Sequence, residues 1–566
     1  MNREKRNCQN CKQSFVIEPE DFKFYEKMQV PPPTFCPMCR FQRRLMFRNE
    51  RALYKDKCDL CGKDMISVFS PEKPFKVYCS PCWWSDNWDP MESGQEYDSS
   101  RNFFEQMKEV QLKAPFMNLI VAYASLVNSD YVNHAGSLKN CYLSYNGDYG
   151  ENVNYTETFL NDKDSMDSTM LGESELCYWC INVGKCFKIF FSEDCNDSHN
   201  IYFSKNLSGC SNCFGCINLR NKKYHIFNEP YSKEDYEKKI REFHLDSYES
   251  VQKLKERVYK FWQTIPHKFM HERHNVDVSG DYVYESKNAR NMYQVRYVEN
   301  GKFSQIITTA PIKDVYDYTE WGGGAQRILD SITTGLQADS VKFSSGVWDG
   351  TMNMEYSMYN VSCSNNFGCI NLRKKQYCIL NKQYTKEEYE NLRAKIIEDM
   401  NKNPYIDSKG RVFKYGEFMP YDLSPYDYNE STASWYFSLQ KEKVLENGWR
   451  WHDLTPSEYK VTMKPEDMPD SINDVKDDIV NEVFECIDCK GVWRVIKPEL
   501  ELLRRFGLPL PRKCSNCRYK ERHSRINPPQ LWDRACAKCG KAIQTSYAPD
   551  RPEIIYCGEC YQKEFI

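Results

Sequence analysis

Sixteen of the 27 cysteines in this 566-residue chain occur as CxxC pairs, four pairs near each end. The pairs are Cys8/Cys11, Cys36/Cys39, Cys58/Cys61 and Cys79/Cys82 in the first set, and Cys486/Cys489, Cys514/Cys517, Cys536/Cys539 and Cys557/Cys560 in the second. Consecutive pairs are separated by 24, 18 and 17 residues in both sets. The agreement at all three gaps predicts that one module has been duplicated.

The chemistry of these pairs predicts structural zinc. A CxxC knuckle presents two thiolates from a tight turn, and two knuckles complete a tetrahedral site with no open position. Each end is therefore expected to hold two Zn²⁺ ions, which gives four structural sites in the chain. The start of the chain, MNREKRNC, lacks the apolar segment of a secretory signal. We therefore expect a reducing cytoplasm, where clustered cysteines indicate metal rather than disulfides.

The residues alone leave the pairing of the knuckles open between a sequential and a cross-braced order. The N-terminal stretch resembles the family known as the probable zinc-ribbon domain. This resemblance is carried by Cys8-Gln-Asn-Cys11, Phe15, Phe24-Tyr25, Pro33 and Cys36-Pro37-Met38-Cys39-Arg40. Members of that family use one such pair of knuckles alone, so the resemblance implies sequential pairing.

Further motifs extend the resemblance over the whole chain, to uncharacterised multi-zinc-ribbon proteins of uncultured bacteria with reduced genomes. These motifs are Trp83-Trp84-Ser85-Asp86-Asn87-Trp88-Asp89-Pro90, Asn140-Cys-Tyr-Leu143, Asn218-Leu-Arg-Asn221, Leu531-Trp-Asp-Arg534, Tyr547-Ala-Pro-Asp-Arg-Pro552 and Tyr556-Cys-Gly-Glu-Cys-Tyr561. The resemblance implies an architecture and no reaction.

Basic residues follow the second knuckle of each set, so the two ends are candidates for contact with RNA or DNA. The candidate residues are Arg40, Arg43, Arg44 and Arg48 in the first set, and Arg518, Arg522 and Arg525 in the second. Residues 1–82 carry a formal charge of +6 and residues 486–566 carry +7, which leaves −16 for the remainder. Arginine clusters of this kind can contact phosphates. The alternative is a solvated helix face that follows the knuckle.

The other eleven cysteines all have residue numbers divisible by three. They are Cys141, Cys177, Cys180, Cys186, Cys195, Cys210, Cys213, Cys216, Cys363, Cys369 and Cys378. From Leu126 to Leu219 almost every third residue is small or apolar, and a second run starts at Gly280 before its frame shifts. A period of three matches neither a helix nor an ordinary strand.

This pattern predicts a β-solenoid built from whole triplets, in which small residues fill a narrow interior. Packed polyproline-II-like strands are the competing interpretation. Inside a solenoid the cysteines would pack as small hydrophobic residues. The alternative is a thiol ladder that holds metal, with Cys210/Cys213/Cys216 and Cys177/Cys180 as the leading candidates.

The middle of the chain is also duplicated. Both triplet runs end in Phe-Gly-Cys-Ile-Asn-Leu-Arg, at residues 214–220 and 367–373, and each is followed by a helix-capping signal. The predicted class is mixed and mainly β, with duplicated four-cysteine zinc-ribbon modules at both ends flanking two β-solenoid units and short helices. The expected organisation is 1–90 double ribbon, 91–228 solenoid, 229–274 helical connector, 275–384 solenoid, 385–485 helix and irregular connector, and 486–566 double ribbon.

These features favour a zinc-stabilised binding or scaffold protein that contacts nucleic acid or protein. One alternative is a solenoid enzyme acting on a carbohydrate or another polymer, for which the acidic row Asp162, Asp164, Asp167, Glu173 and Glu175 is the candidate site. A pure protein-interaction platform is the other. No catalytic or cofactor-binding residue is predicted. No membrane partner is expected either, because the longest apolar-leaning run, 116–127, is too short to span a bilayer.

Overall fold

The computed structural model describes residues 2–309, 311–453 and 459–565. Within these residues the protein is mainly β with 12 α-helices, which confirms the predicted mixed class. The helices are α1 (Pro19–Lys27), α2 (Pro37–Leu45), α3 (Ser80–Trp84), α4 (Phe103–Lys113), α5 (Lys233–Glu242), α6 (Tyr248–Gln263), α7 (Lys386–Lys402), α8 (Ala433–Tyr436), α9 (Lys441–Glu446), α10 (Lys497–Phe506), α11 (Ser515–His523) and α12 (Gly558–Phe565). Among the described helices, none has the length and apolar character needed to cross a membrane.

The chain forms two compact units that are not continuous in sequence. Unit 1 contains Met1–Asn118, Met270–Asp453 and Pro528–Leu531, and unit 2 contains Leu119–Phe269, Leu454–Asn527 and Trp532–Ile566. Each unit therefore combines the cysteine pairs of one end with the triplet run that lies farther away in sequence. The sequence pattern does not indicate that the cysteine pairs of each end pack with the more distant triplet run.

Unit 2 contains a stack of short parallel strands, here called the unit 2 stack. One sheet consists of Val132–Gly136, Ser144–Asp148, Glu157–Leu160, Thr169–Gly172 and Ile181–Gly184. The other consists of Glu175–Tyr178, Phe187–Phe190, His199–Tyr202, Ser211–Phe214 and Lys223–Ile226, with Glu229–Pro230 antiparallel at its end. Aromatic and aliphatic side chains on the outside of this stack pack against α6 and α10 in one hydrophobic core.

Unit 1 contains a larger sheet of 14 strands, here called the unit 1 stack. Its strands are Glu272–Arg273, Val276–Tyr284, Lys287–Arg296, Val298–Lys302, Gln305–Thr309, Ile312–Gly322, Gln326–Gly335, Asp339–Lys342, Ser345–Trp348, Met352–Glu355, Met358–Val361, Ser364–Phe367, Gln376–Ile379 and Lys382–Gln383. The pairings among Lys287–Arg296, Val298–Lys302, Gln305–Thr309 and Ile312–Gly322 close into a ring of four strands.

The register of the parallel strands explains the triplet pattern. In the unit 2 stack each strand pairs with residues 12 positions later, as in Tyr145↔Glu157 and Glu157↔Thr169. Every third residue along this stack has a left-handed backbone, and Asn and Asp, which tolerate that conformation, recur there. Four triplets therefore separate stacked residues, and each triplet contains one sharp turn.

The unit 1 stack departs from this spacing, which accounts for the frame shift in the sequence. Its paired residues are 14 apart at Val298↔Ile312 and 13 apart at Gln326↔Asp339, and they return to 12 apart at Met352↔Ser364. Each extra residue moves the inward positions by one, so Cys363, Cys369 and Cys378 stand in a different frame from the run that starts at Gly280.

The remaining strands form short pairs. The antiparallel pairs are Glu4–Asn7 with Ser14–Ile17, Tyr54–Lys57 with Asp64–Ser67, Tyr405–Ile406 with Val412–Phe413, Phe484–Glu485 with Val492–Trp493, and Trp532–Ala535 with Ala542–Thr545. The parallel pairs are Val77–Tyr78 with Phe116–Met117, and His267–Lys268 with Ile555–Tyr556.

Candidate metal centres

Four groups of four cysteines are positioned to hold metal ions. The groups are Cys8/Cys11/Cys36/Cys39 and Cys58/Cys61/Cys79/Cys82 in unit 1, and Cys486/Cys489/Cys514/Cys517 and Cys536/Cys539/Cys557/Cys560 in unit 2. Within each group all four sulfurs lie within 4.8 Å of one another. Each group joins the first knuckle with the second or the third with the fourth, which is the sequential pairing.

The sulfur spacing fits tetrahedral thiolate coordination. A Zn–S bond of about 2.3 Å places neighbouring sulfurs of a tetrahedron about 3.8 Å apart. The second and third cysteines of the four groups have Sγ–Sγ distances of 3.7, 3.9, 3.7 and 3.8 Å, in chain order. All 27 cysteines are free, so no thiol of these groups is used in a disulfide.

The four groups share one local backbone fold. After each first knuckle the chain turns through a left-handed residue, which is Lys12, Gly62, Lys490 or Gly540. The backbone N–H of the third cysteine donates to the sulfur of the first at 3.2 or 3.3 Å in all four groups. A helix then begins at the third cysteine and carries the fourth in its first turn, where the helix dipole favours a thiolate.

The first cysteine of each group is poised to be a thiolate, the form that binds metal. Burial raises the pKa of Cys58, but N–H donors from Cys79 and Cys61 outweigh it and lower the pKa to about 7. The same balance gives a pKa of about 7 for Cys486 and about 6 for Cys536. Hydrogen bonds from Cys36 and Cys39 hold the pKa of Cys8 well below its usual range.

The residue four positions after the third cysteine is buried in all four groups. It is Arg40 and Arg518 in the Cys8 and Cys486 groups, here called the arginine groups, with exposed fractions of 2% and 3%. It is Trp83 and Tyr561 in the Cys58 and Cys536 groups, here called the aromatic groups. Trp83 donates to the carbonyl of Pro115, so the aromatic groups also use this position for contact within their unit.

In unit 1 the arginines that follow the knuckle reach carboxylates of the unit 1 stack. Arg40 and Arg44 lie one helical turn apart on α2 and share a face. Arg40 pairs with Asp317 at 2.9 Å, and Arg44 contacts Asp317 at 3.3 Å and Asp330 at 2.8 Å. Arg43 pairs with Asp330 at 2.8 Å. All five side chains are buried.

Unit 2 repeats this arrangement with different carboxylates. Arg518 and Arg522 lie one turn apart on α11, and both contact Asp167 of the unit 2 stack, at 2.9 and 3.1 Å. Arg518 also pairs with Glu499 at 3.0 Å. Asp167 is fully buried and occupies a left-handed corner of the stack, so its carboxylate is presented outward to the helix.

The other two candidate arginines are also paired. Arg48 contacts Glu50 at 2.7 Å and Glu320 at 3.4 Å, and half-buried Arg525 contacts Glu193 and lies 3.7 Å from the Tyr259 ring. All seven arginines proposed for nucleic-acid contact therefore have carboxylate partners within their own unit. This placement favours an intramolecular role for these side chains over contact with phosphates.

The eleven cysteines of the triplet frame are all buried, as packing inside the stacks requires. Their thiols point at backbone carbonyls, and Cys180 Sγ lies 3.4 Å from Tyr178 O and 3.1 Å from Ile189 O. Burial raises the pKa of Cys186 to about 12 and that of Cys363 to about 11, which keeps these thiols protonated. Among the described residues, none of the eleven belongs to a group that could hold a metal ion.

The acidic row of the alternative enzyme hypothesis is divided among different contacts. Asp164 pairs with Arg505 at 2.7 Å, and Asp167 is held by the arginines of α11. Asp162 points inward, where burial raises its pKa to about 7. Two of the five carboxylates are thus in ion pairs, and their arrangement does not favour a catalytic pair.

Comparison with known proteins adds little to this site. No protein-family model matches the chain, and neither does any curated protein. Among solved structures, the chain is similar to a candidate acetyltransferase from Desulfovibrio desulfuricans G20, with 8% identity, coverage of 51% of this chain and 86% of that chain, and a TM-score of 0.10. A TM-score of 0.10 does not establish a shared fold, so this likeness carries no argument about structure or function.

Proposed function

We propose that the protein is a zinc-stabilised scaffold in which four structural Zn²⁺ ions order the cysteine-rich ends against two β-solenoid units. The observation that carries this proposal is the repeated arginine pair. In both units, arginines four and eight residues after a metal-binding cysteine contact a buried aspartate of the strand stack.

Zinc is the metal that the donor set supports best. Four thiolates with tetrahedral spacing suit Zn²⁺, and the two knuckles leave no position for water or substrate. A metal centre of this kind supplies folding free energy rather than chemistry. Iron also accepts tetrahedral thiolates, so metal identity is part of the proposal and needs direct analysis.

The buried ion pairs support a role in specifying geometry. A buried pair contributes little net stability compared with apolar residues of the same size, but an unpaired buried charge is strongly unfavourable. Arginines fixed by a metal-bound helix therefore accept only the docking position that supplies their aspartates. The 12-residue register and small inward residues of the stacks are the features expected of a solenoid with a narrow core.

A scaffold of this kind would use the outer faces of the stacks for protein partners. Affinity capture from native lysate, with and without nuclease, tests this role. A defined set of partners that survives nuclease and is unchanged between low and physiological salt is the expected result. Loss of all partners on nuclease treatment, or steep salt dependence, would instead support nucleic-acid binding.

Metal analysis of the purified, reduced protein tests the structural part. We expect about four zinc ions per chain and little iron, because two complete four-thiolate sites are present in each unit. A content well below four zinc ions would contradict the proposed architecture.

A further inference from the structure

A small cationic pocket in unit 2 is separate from the metal centres. It lies among α6, residues 509–513 and α11, and its volume is about 40 Å³. A single buried water needs roughly 10–15 Å³ on this measure, so the pocket has room for about three waters. This is close to the size of a tetrahedral oxyanion. Trp179, Phe191 and Pro511 are among the residues that line it.

The charges that line the pocket are mostly positive. Lys255, Arg512, Lys513 and Arg518 line it together with a single carboxylate, Glu521. Arg518 is already held by two buried carboxylates on the stack side and on α10. Glu521 is the carboxylate of the lining, 3.5 Å from Lys255 and 3.1 Å from Lys513. Lys513 also pairs with Asp488 at 2.9 Å outside the lining, so Lys255 and Arg512 are the cations with the least compensation.

Arg512 is the residue whose contacts most strongly suggest a missing ligand. Its side chain is 7% exposed, and its Nη2 donates to the carbonyls of Met468 and Pro469 at 3.0 and 2.9 Å. Its Nη1 is buried without a hydrogen-bond acceptor, and Arg512 forms no ion pair with any carboxylate among the described residues. The guanidinium lies over the Tyr248 ring at 4.9 Å, which supplies only a weak neutral contact.

Lys255 is the second cation with an incomplete environment. Its Nζ lies 4.4 Å from the Trp179 ring and 5.1 Å from the Phe191 ring, so aromatic faces replace much of its water. Burial lowers the pKa of Lys255, and Glu521 compensates only in part. An ammonium whose side chain is 12% exposed, with one carboxylate at 3.5 Å, would be stabilised by a further anion.

We propose that this pocket binds a tetrahedral oxyanion, either inorganic phosphate or the phosphate group of a small monoester. The anion would accept hydrogen bonds from Arg512 and Lys255 and would pair with Lys513 at the rim. Charge-assisted hydrogen bonds from a guanidinium and an ammonium are the contacts that phosphate prefers. The aromatic and proline walls would exclude water and strengthen these contacts.

The carboxylate of Glu521 would compete with the bound anion for Lys255 and Lys513. Replacing this carboxylate with an amide of the same shape should therefore tighten phosphate binding. Replacing a lining cation should weaken it. A pocket that serves only to hold an internal ion pair would not show these opposite responses.

The experiment is a calorimetric titration of the zinc-loaded full chain with inorganic phosphate and, separately, with phenyl phosphate. We expect saturable binding that R512Q and K255Q each weaken at least tenfold and that E521Q strengthens. K238Q, which removes an exposed lysine of α5, is the matched control and should bind as the wild type does. Tighter binding of phenyl phosphate than of phosphate would assign a monoester, and equal or weaker binding would assign the free ion.

Two results would overturn the proposal. One is the absence of saturable binding of either ligand to the wild-type protein. The other is unchanged affinity in K255Q and E521Q, which keeps the test decisive if R512Q fails to fold. Zinc content measured after each titration separates loss of the pocket from loss of the metal centres.

Discussion

The two arginine groups both dock on a strand stack through buried ion pairs, but they use different carboxylates. In both, the third cysteine begins a helix, and arginines four and eight residues later reach the strand stack. In both units the two arginines share one aspartate, Asp317 or Asp167. A second carboxylate holds the later arginine in unit 1, where Asp330 contacts Arg44, but the earlier one in unit 2, where Glu499 contacts Arg518. The duplicated module has thus kept its arginines while the stacks differ in how the charges are shared. Loss of the shared aspartate should therefore affect the two units to a similar extent, because one arginine of each pair keeps its second carboxylate.

The aromatic groups provide a second comparison within each module. Their helices insert Trp83 or Tyr561 where the arginine groups insert a guanidinium. An aromatic side chain docks through apolar area and does not depend on a buried charge partner. Loss of metal from an arginine group should therefore disturb the neighbouring stack more than loss of metal from an aromatic group.

Removal of one zinc site should produce the largest effect. In C514S/C517S we expect three zinc ions per chain and loss of order in α11, because structural zinc supplies about 10–16 kcal/mol of binding free energy. Hydrogen exchange should show lost protection in the strand Thr169–Gly172, whose neighbour Asp167 would lose both arginines. The matched variant C557S/C560S should also lose one zinc but leave that strand protected. Equal effects of the two variants on the stack would remove the distinction between the groups.

Neutralising the shared aspartates should have the next largest effect. D167N removes the shared partner of Arg518 and Arg522, of which Arg518 keeps its pair with Glu499. We expect this change to destabilise unit 2 by about 3–5 kcal/mol. D317N should destabilise unit 1 by a similar amount, because Asp330 still pairs with Arg44 but buried Arg40 loses the carboxylate that it contacts at 2.9 Å. Denaturant-dependent hydrogen exchange, measured separately for each unit, checks both values, since a two-unit chain need not unfold in one step.

A control for this comparison is R504Q, which breaks an exposed pair with Asp477. We expect a change of no more than about 1 kcal/mol, as is usual for surface ion pairs. Destabilisation by D167N or D317N that does not exceed that of R504Q would contradict the proposed role of the shared aspartates.

The buried carboxyl group of Asp162 should make the stability of unit 2 depend on pH. Burial raises its pKa to about 7, although N–H groups of Ser174 and Leu160 bond to its carboxylate. The unfolded pKa is about 3.9, so the native state holds the proton more tightly. The associated stability is complete below the unfolded pKa and is lost as pH rises through 7. D162N should therefore gain up to about 4 kcal/mol relative to wild type over this range.

This prediction is checked by comparing denaturant midpoints of wild type and D162N between pH 5.5 and 8, where zinc stays bound to the thiolates and about 2 kcal/mol of the gain should develop. Other carboxylates titrate equally in both proteins and cancel in the difference. A difference in stability that does not change with pH would show that Asp162 has an ordinary pKa.

The smallest effects should come from the exposed left-handed corners that both stacks share. Tyr149 of the unit 2 stack and Tyr297 of the unit 1 stack have φ values of 56° and are well exposed. Replacing either with Ile should destabilise its unit by about 1–2 kcal/mol, because a β-branched residue is strained in this conformation. Asn at either position should be nearly neutral. Thermal denaturation of the four variants would test whether the two stacks use the same corner geometry.

The sequence predicted the local features of this protein better than its long-range contacts. Cysteine spacing was sufficient to predict four groups of four cysteines, because a knuckle is a local turn with fixed chemistry. The triplet frame correctly placed all eleven remaining cysteines in buried positions. The recurring Asn and Asp between them also indicated turns, but they did not predict a left-handed residue in every triplet.

The partners of the arginines could not be predicted in this way. Arg522 and Asp167 are 355 residues apart, and Arg44 and Asp330 are 286 apart. The prediction of phosphate contact depended on the number of arginines after each knuckle. The sequence does not show which carboxylates face those arginines in the folded protein. The 13- and 14-residue offsets of the unit 1 stack were likewise hidden, since they appear in the sequence only as a loss of frame.

The most direct test of the account is a chelator competition that follows zinc release from wild type, D167N and D317N. If zinc binding and arginine docking are coupled, removal of the aspartate must weaken zinc binding at the group whose helix it holds. We predict that one zinc of four is released at least tenfold more readily in D167N, from the Cys486 group, and that D317N has the same effect at the Cys8 group. Identical release curves for all three proteins would contradict the claim that metal and stack are joined through these arginines.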